Sequence, residues 1–98
     1  MTNRTTGVPV HPGALLKREL AARDLSANAL ARALRVPPNR IIEILNGRRA
    51  LSADTALRLG HYFGNGGRFW LTLQGNYDLA VAERDSGRRI AREVSRAA

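Results

Sequence analysis

The side chains best suited to specific chemistry lie close together in the run Asn39-Arg-Ile-Ile-Glu43. Asn39 and Arg40 can form bidentate hydrogen bonds with adenine and guanine, respectively. Ile42 can contact a thymine methyl group, and Glu43 can accept a hydrogen bond from cytosine N4 or, alternatively, repel phosphate. We therefore predict that Asn39, Arg40, Ile42 and Glu43 contact base edges of DNA. A solvated helix face is the alternative for the first two, and a core or interface position for Ile42.

Four further residues are suited to the sugar-phosphate backbone. Arg48 and Arg49 follow the run directly, and Ser26 and Asn28 lie at the start of the preceding predicted helix. Phosphate contacts fix the register and orientation of a protein on DNA without identifying its bases. We predict phosphate contacts for these four residues, with a solvated loop as the alternative for the arginine pair.

The net charge is consistent with a polyanionic partner. The chain has 16 Lys and Arg against 8 Asp and Glu, a formal charge of +8, and 15 of the 16 cations are Arg. Residues 1–49 carry nine cations and three acids, whereas residues 50–98 carry seven and five. A basic half of this kind favours nucleic acid or anionic lipid as a partner, although many small proteins are basic only for solubility.

Composition argues against several other functions. A chain of 98 residues without Cys has room for one domain and has no disulfide, thiolate zinc site or cysteine nucleophile. Ser52, Asp54 and His61 fall on one predicted helix at a spacing that does not assemble a catalytic relay. No run approaches the roughly 20 apolar residues that span a bilayer. We therefore expect a cytoplasmic protein that is not an enzyme and uses no cofactor, metal or membrane.

The pattern of apolar residues and caps predicts an all-α domain of five helices. Ser26 and Ser52 are suited to cap the second and fourth helices, and Gly47 is suited to end the third. Residues 1–10 are predicted to be a flexible arm and residues 86–98 a basic tail, because Ser86-Gly87 interrupts the pattern. The predicted helices are Ala14–Asp24, Ala27–Leu34, Asn39–Asn46, Ala53–Phe63 and Arg68–Arg84, all within a domain of residues 11–85.

The second and third predicted helices form the unit that positions the base-contacting run. Only a tight turn containing Pro37-Pro38 joins them, and two short helices connected in this way must cross steeply. Ile41, Ile44 and Leu45 are predicted to face the core, which turns the base-contacting residues outward. This arrangement is typical of a helix-turn-helix, whose second helix enters the major groove.

Several motifs across the chain resemble a known family. The run from Ser26 to Gly47 is similar to the helix-turn-helix of Xre/Cro-type, lambda-repressor-like proteins, and the wider pattern resembles the HigA (VapI-like) antitoxins. This resemblance implies a dimeric repressor of its own operon that also neutralises a RelE-like (HigB-like) mRNA-cleaving toxin. Three positions depart from the family pattern: Pro37-Pro38, Glu43 and Gly66-Gly67-Arg68. The motifs that carry the resemblance are His11-Pro-Gly-Ala-Leu-Leu16, Leu45-Asn-Gly47, Ala56-Leu-Arg-Leu59, Phe69-Trp-Leu-Thr-Leu-Gln74 and Asn76-Tyr-Asp-Leu79.

Large side chains in the fifth predicted helix indicate a protein interface. Trp70, Leu73 and Tyr77 are predicted to contribute to a homodimer interface, since a chain this short has limited capacity to bury every one of them. The protein's own core is the alternative for each, and it is favoured for Phe69 and Leu73. A two-fold dimer would place two recognition helices about 34 Å apart and would require a palindromic operator.

Two other functions remain open at this stage. One is a stand-alone helix-turn-helix transcription regulator that has no toxin partner. The other is a protein that binds mainly a toxin and binds DNA weakly, which the basic N-terminal half argues against. The neighbouring open reading frame distinguishes the antitoxin from the stand-alone regulator.

Overall fold

A computed structural model describes residues 9–97 and contains five α-helices in that part of the chain, as predicted. The first eight residues of the predicted arm, and Ala98 of the predicted tail, lie outside the described residues. None of the helices within residues 9–97 is long and apolar enough to cross a membrane. The helices are α1 Pro12–Ala22, α2 Ala27–Leu34, α3 Pro38–Leu45, α4 Ala53–Phe63 and α5 Gly67–Glu93.

Serine side chains determine where α2 and α4 begin. The Ser26 hydroxyl accepts a hydrogen bond from the backbone N–H of Ala29 at 3.0 Å, and the Ser52 hydroxyl accepts one from Thr55 at 3.2 Å. Each bond satisfies one of the N–H groups that the first turn of a helix leaves without a partner. Both predicted caps are therefore confirmed.

The turn between α2 and α3 is held by backbone hydrogen bonds and a buried valine. Arg35 adopts a left-handed conformation with a φ of 59°, and the N–H of Val36 then donates to the carbonyl of Ala31 at 3.0 Å. The α3 helix starts at Pro38 without a side-chain cap, and proline suits this position because its missing N–H would have no helical partner. The chain thereby leaves α2 and enters α3 within three residues.

The core fixes α3 against both α1 and α2. Ile41 and Ile44 are fully buried in one cluster with Leu16 of α1 and Ala31 of α2. At Gly13 the backbone of α1 comes so close to α3 that a Cβ atom would overlap the carbonyl oxygen of Ile44. Only glycine has no side chain to place there, so this contact fixes the distance between the two helices.

The C-terminal helix is longer than the sequence predicts. The predicted end at Arg84 is wrong, because α5 continues through Ser86-Gly87 to Glu93. A glycine inside a helix costs about 1 kcal/mol relative to alanine, which does not by itself end a helix that continues on both sides. An ion pair between Arg89 and Glu93, one helical turn apart, lies beyond this point at 3.4 Å. No break in the helix marks the predicted boundary at residues 85 and 86, and the division into domain and tail stays a prediction.

Candidate nucleic-acid interface

The α3 helix turns the predicted base-contacting residues away from the core. Ile41 and Ile44 lie inside, whereas Asn39 is exposed and Ile42 is 41% exposed. Glu43 is half-buried on the outward side. The outward side of α3 therefore presents an amide, a sec-butyl group and a carboxylate.

Arg40 lies at the edge of this surface, beside the start of α4. Its side chain is half-buried and, together with Arg49, Ser52 and Asp54, lines an open polar cavity of about 500 Å³. The pKa of the Asp54 carboxyl is lowered, chiefly by the hydrogen bond from Arg58 and to a smaller degree by the charges of Arg58 and Arg40. Arg40 forms no ion pair within residues 9–97, so its guanidinium group is available to a ligand.

One predicted base contact and one predicted phosphate contact are bound to each other. The Nε and Nη2 atoms of Arg49 both donate to the Oε1 atom of Glu43, at 3.1 and 2.9 Å. One oxygen of the Glu43 carboxylate therefore faces a guanidinium group, while the side chain as a whole stays partly exposed to solvent. Arg48 is exposed, and no acidic side chain in the described part of the chain pairs with it.

Ser26 and Asn28 lie apart from this group, at the N-terminus of α2. Both are exposed. The Ser26 hydroxyl uses its oxygen to accept a hydrogen bond from Ala29. A hydroxyl can donate as well as accept, so its proton can bind a phosphate oxygen without loss of the cap. The first turn of α2 also presents backbone N–H groups, which suit an anion.

A buried glutamine that the sequence analysis did not select connects α5 to the loop carrying Arg48 and Arg49. Gln74 is almost fully buried, and its Oε1 atom accepts a hydrogen bond from the N–H of Leu51 at 2.8 Å. Its Nε2 atom donates to the Oδ1 atom of Asp78 at 2.9 Å. The only signal in the sequence is a glutamine one turn after Trp70 and one turn before Asp78, which is easily taken for a solvated position.

We expect Gln74→Met to lower the free energy of unfolding by about 1–2 kcal/mol, because the buried N–H of Leu51 would lose its acceptor. Urea denaturation of the two proteins measures this difference. Asn76→Met is the matched control, because Asn76 is exposed on the same helix, and it should change the free energy of unfolding by less than about 0.5 kcal/mol. Equal stability of the wild type and Gln74→Met would contradict this role.

His11 joins the start of α1 to the same loop. Its Nδ1 atom accepts a hydrogen bond from the N–H of Gly13 at 3.0 Å, and its ring packs edge-on against Tyr77 with 5.1 Å between ring centroids. Burial lowers the pKa of His11, although the nearby charge of Asp78 and a hydrogen bond to the backbone of Arg49 oppose this shift. Protonation would block the Nδ1 acceptor and thereby remove the cap of α1.

The lowered pKa of His11 predicts a stability that depends on pH. The folded chain favours the neutral ring, so the contribution is fully present above the ordinary pKa of 6.5 and is lost as the pH falls through the lower folded-state pKa. We expect the urea midpoint of the wild type to fall more between pH of about 7.5 and about 5 than that of His11→Ser, which keeps a capping oxygen. Parallel pH profiles for the two proteins would contradict this role of His11.

The structure corrects the residues assigned to a dimer interface. Trp70 is 1% exposed and its Nε1 atom donates to the Oδ1 atom of Asn65 at 2.8 Å, so its assignment to the interface is wrong. Leu73 is half-buried against the core, as favoured, and Tyr77 is half-buried against His11. Phe69, which was expected in the core, is 42% exposed instead. Trp70, predicted at the interface, therefore lies in the core, and Phe69, predicted in the core, lies at the surface.

Comparison with known proteins shows the same architecture. Residues 16–70 match the family described as helix-turn-helix. The virulence-associated protein I of Dichelobacter nodosus is 52% identical over 77 residues, which cover 78% of this chain and 71% of that protein.

Two solved structures are also similar over nearly their full length. An addiction module antidote protein of the HigA family from Coxiella burnetii is 48% identical with a TM-score of 0.88, and the match covers 92% of this chain and 99% of that one. The antitoxin HigA of Pseudomonas aeruginosa, solved with the higBA promoter, is 43% identical with a TM-score of 0.85, and the match covers 89% and 96%. The similarity therefore extends over the helix-turn-helix and most of α5.

Proposed function

Because the chain belongs to the HigA family of helix-turn-helix proteins, we propose that it is an antitoxin of a type II toxin–antitoxin module and represses its own operon. Repression takes place in the cytoplasm, by binding of α3 to double-stranded operator DNA. The observation that supports this most is the outward face of α3, where Asn39, Ile42 and Glu43 are presented to solvent beside the half-buried Arg40. The HigA protein of Pseudomonas aeruginosa was itself solved with promoter DNA.

The exposed residues divide into two groups of DNA contacts. Asn39, Arg40 and Ile42 carry groups that match adenine, guanine and thymine edges in the major groove. Arg48, which forms no ion pair within residues 9–97, supplies a positive charge for phosphate, and the start of α2 supplies backbone N–H groups. Glu43 and Arg49 bind each other in the free chain.

A second copy of the chain is proposed to pack against an apolar surface on α4 and α5. Leu57 and Leu71 line one groove between these helices, and Leu79 lies two turns further along the same face of α5. Leu57 is 66% and Leu79 is 61% exposed. Gly75, between the two α5 leucines, has nothing within 4 Å of its Cβ position among residues 9–97, so it leaves room for a close approach by a second chain. We call Leu57, Leu71, Gly75 and Leu79 the dimer surface.

The second half of α5 supports a partner of this kind. Almost all side chains from residue 82 onward are exposed, and a helix with so little packing is marginally stable alone. A two-fold pair of α5 helices would bury the dimer surface and extend along this segment. The pair would also present two α3 helices to a palindromic operator.

Leu79→Glu tests the dimer surface. Its side chain is mainly exposed in the single chain, so the substitution should leave the fold intact and place like charges in the two-fold interface. Sedimentation should show a dimer for the wild type and a monomer for Leu79→Glu. Ala22→Glu, at an exposed position at the end of α1 and outside both the dimer surface and the segment after residue 82, is the control and should remain dimeric. A wild-type monomer at micromolar concentration would contradict the proposal.

The second activity proposed is the neutralisation of an mRNA-cleaving toxin of the RelE/HigB-like class. Support comes from the family, since both similar structures are described as an antidote protein or an antitoxin. The test is co-expression of the tagged chain with the adjacent open reading frame in its genome. A stable complex that restores growth to cells expressing the toxin is the expected result. If the chain represses its promoter but neither binds nor counteracts a neighbouring product, it is a stand-alone regulator.

A further inference from the structure

The ion pair between Glu43 and Arg49 joins the recognition helix to the loop that follows it. The Nε and Nη2 atoms of Arg49 both donate to one oxygen of Glu43. The Glu43 side chain is 42% exposed and the Arg49 side chain is 49% exposed. The pair therefore lies at the surface, where a competing anion or donor can reach either partner. The second carboxylate oxygen of Glu43 has no hydrogen-bond partner among the described residues.

Neighbouring cations on this surface are not restrained in the same way. Within residues 9–97 neither Arg40 nor Arg48 forms an ion pair, whereas Asp54 is bound by Arg58. Arg49 is thus the one arginine of the three whose charge is neutralised by an acid. Glu43 occupies the Nε and Nη2 donors of Arg49 and offsets its charge. A phosphate that takes these two donors has to displace Glu43, and the released carboxylate would then face the polyanion without a counter-charge.

We propose that Glu43 is a specificity-determining residue, which withholds Arg49 from DNA of arbitrary sequence. On random DNA the pair stays closed, so the chain makes one phosphate contact fewer than its arginines allow. In the operator, the N4 amino group of a cytosine donates a hydrogen bond to Glu43 in place of Arg49. Arg49 is thereby released and binds phosphate. This inference rests on the proposed DNA binding by α3.

Surface ion pairs are weak enough for such an exchange. An exposed carboxylate–guanidinium pair contributes little net stability because water competes for both groups. A cytosine amino group and a phosphate together offer equivalent partners to the two released side chains. Random DNA offers the phosphate but not reliably the amino donor, so the exchange is incomplete there.

The salt dependence of binding to random DNA distinguishes this role from a purely structural one. Each phosphate contact contributes about −0.9 to the slope of log K against log salt concentration. We expect Glu43→Gln to steepen that slope by about 0.9 and to raise affinity for random DNA by about three- to tenfold. Because affinity for the operator rises less or falls, the ratio of specific to random binding should drop. If the ion pair only orders the loop, Glu43→Gln would leave the slope on random DNA unchanged.

A double-mutant cycle makes the test sharper. In the wild-type background, Arg49→Ala removes no phosphate contact on random DNA, so it should lower the affinity through the unpaired Glu43 carboxylate but flatten the slope by much less than about 0.9. Arg48→Ala should flatten the slope by about 0.9. In the Glu43→Gln background, Arg49→Ala should also flatten it by about 0.9. Fluorescence anisotropy with a labelled random duplex and with the chain's own upstream DNA, each over a range of salt concentrations, gives all the slopes.

Two results would overturn the inference: equal flattening by Arg49→Ala in both backgrounds, or no effect of Glu43→Gln on random DNA. Either can occur while the wild type still prefers its own upstream DNA, so the proposed function would survive. Conversely, a wild type that shows no preference for its upstream DNA contradicts the proposed function, and the slopes on random DNA still test the pair.

Discussion

Trp70→Ala is expected to lower the free energy of unfolding by about 3–5 kcal/mol, the usual cost of removing a buried tryptophan. Trp70 is 1% exposed, is the largest fully buried side chain and packs against Phe63 of α4. The substitution would leave a large void between α4 and α5 and would remove the hydrogen bond to Asn65. Chemical denaturation followed by circular dichroism measures the loss.

Phe69→Ala is the matched comparison at the preceding residue of the same helix. Phe69 is 42% exposed and contacts Trp70 edge-on, so its removal should cost only about 1 kcal/mol. If Trp70→Ala proved no more destabilising than Phe69→Ala, the packing of α5 described above would be wrong. A dimer that dissociates in Trp70→Ala while the monomer retains wild-type stability would instead restore Trp70 to the interface.

Arg40→Ala is expected to weaken binding to the operator by about 1–3 kcal/mol and to relax the base preference at one position. The physical reason is the loss of a bidentate hydrogen bond to a guanine, which a methyl group does not replace. Arg40 lies at the start of α3 and no acidic residue within the described residues forms an ion pair with it. Competition binding with operators substituted at each base pair measures both effects.

Arg48→Ala is the control for this prediction. Arg48 lies in the loop after α3 and is proposed to contact phosphate, so its loss should weaken specific and random DNA alike and leave base preference unchanged. If Arg40→Ala behaved in the same way, with equal losses on the operator and on random DNA, Arg40 would be a phosphate contact and not a base contact.

The helix-turn-helix could be predicted from sequence because local chemistry alone determines it. Ser26 caps α2, Pro38 begins α3, and Gly47 follows it with a φ of 72°, and each of these features depends on only a few neighbouring residues. The alternation of Ile41 and Ile44 with Asn39 and Ile42 then assigns the inward and outward faces.

The orientation of α5 could not be predicted in the same way. The apolar spacing of Phe69, Leu73 and Tyr77 indicates one buried face, but the structure buries Trp70 and Gln74 instead. This rotation places a glutamine in the core, which is favourable only because the N–H of Leu51 and the carboxylate of Asp78 satisfy its amide. Those partners lie on another segment and on the next turn, so no pattern of hydrophobicity contains them.

The pairing of Glu43 with Arg49 also depends on tertiary geometry. The two residues are six positions apart, and only the bend of the chain after α3 brings the guanidinium back to the helix. Sequence alone therefore assigns them separate roles on bases and phosphates. The structure places them in one ion pair, and the inference that Glu43 controls Arg49 follows from that contact.

A footprint on the DNA upstream of the chain's own reading frame, combined with the number of chains bound, tests whether the protein is a dimeric operator-binding repressor. We expect two protected half-sites related by a palindrome, with centres about 34 Å or a multiple of that apart, and two chains bound to each site. Scrambled DNA of the same length should show no discrete protection. Uniform protection of both fragments, or one chain bound to a site without two-fold symmetry, would contradict operator binding by a dimer.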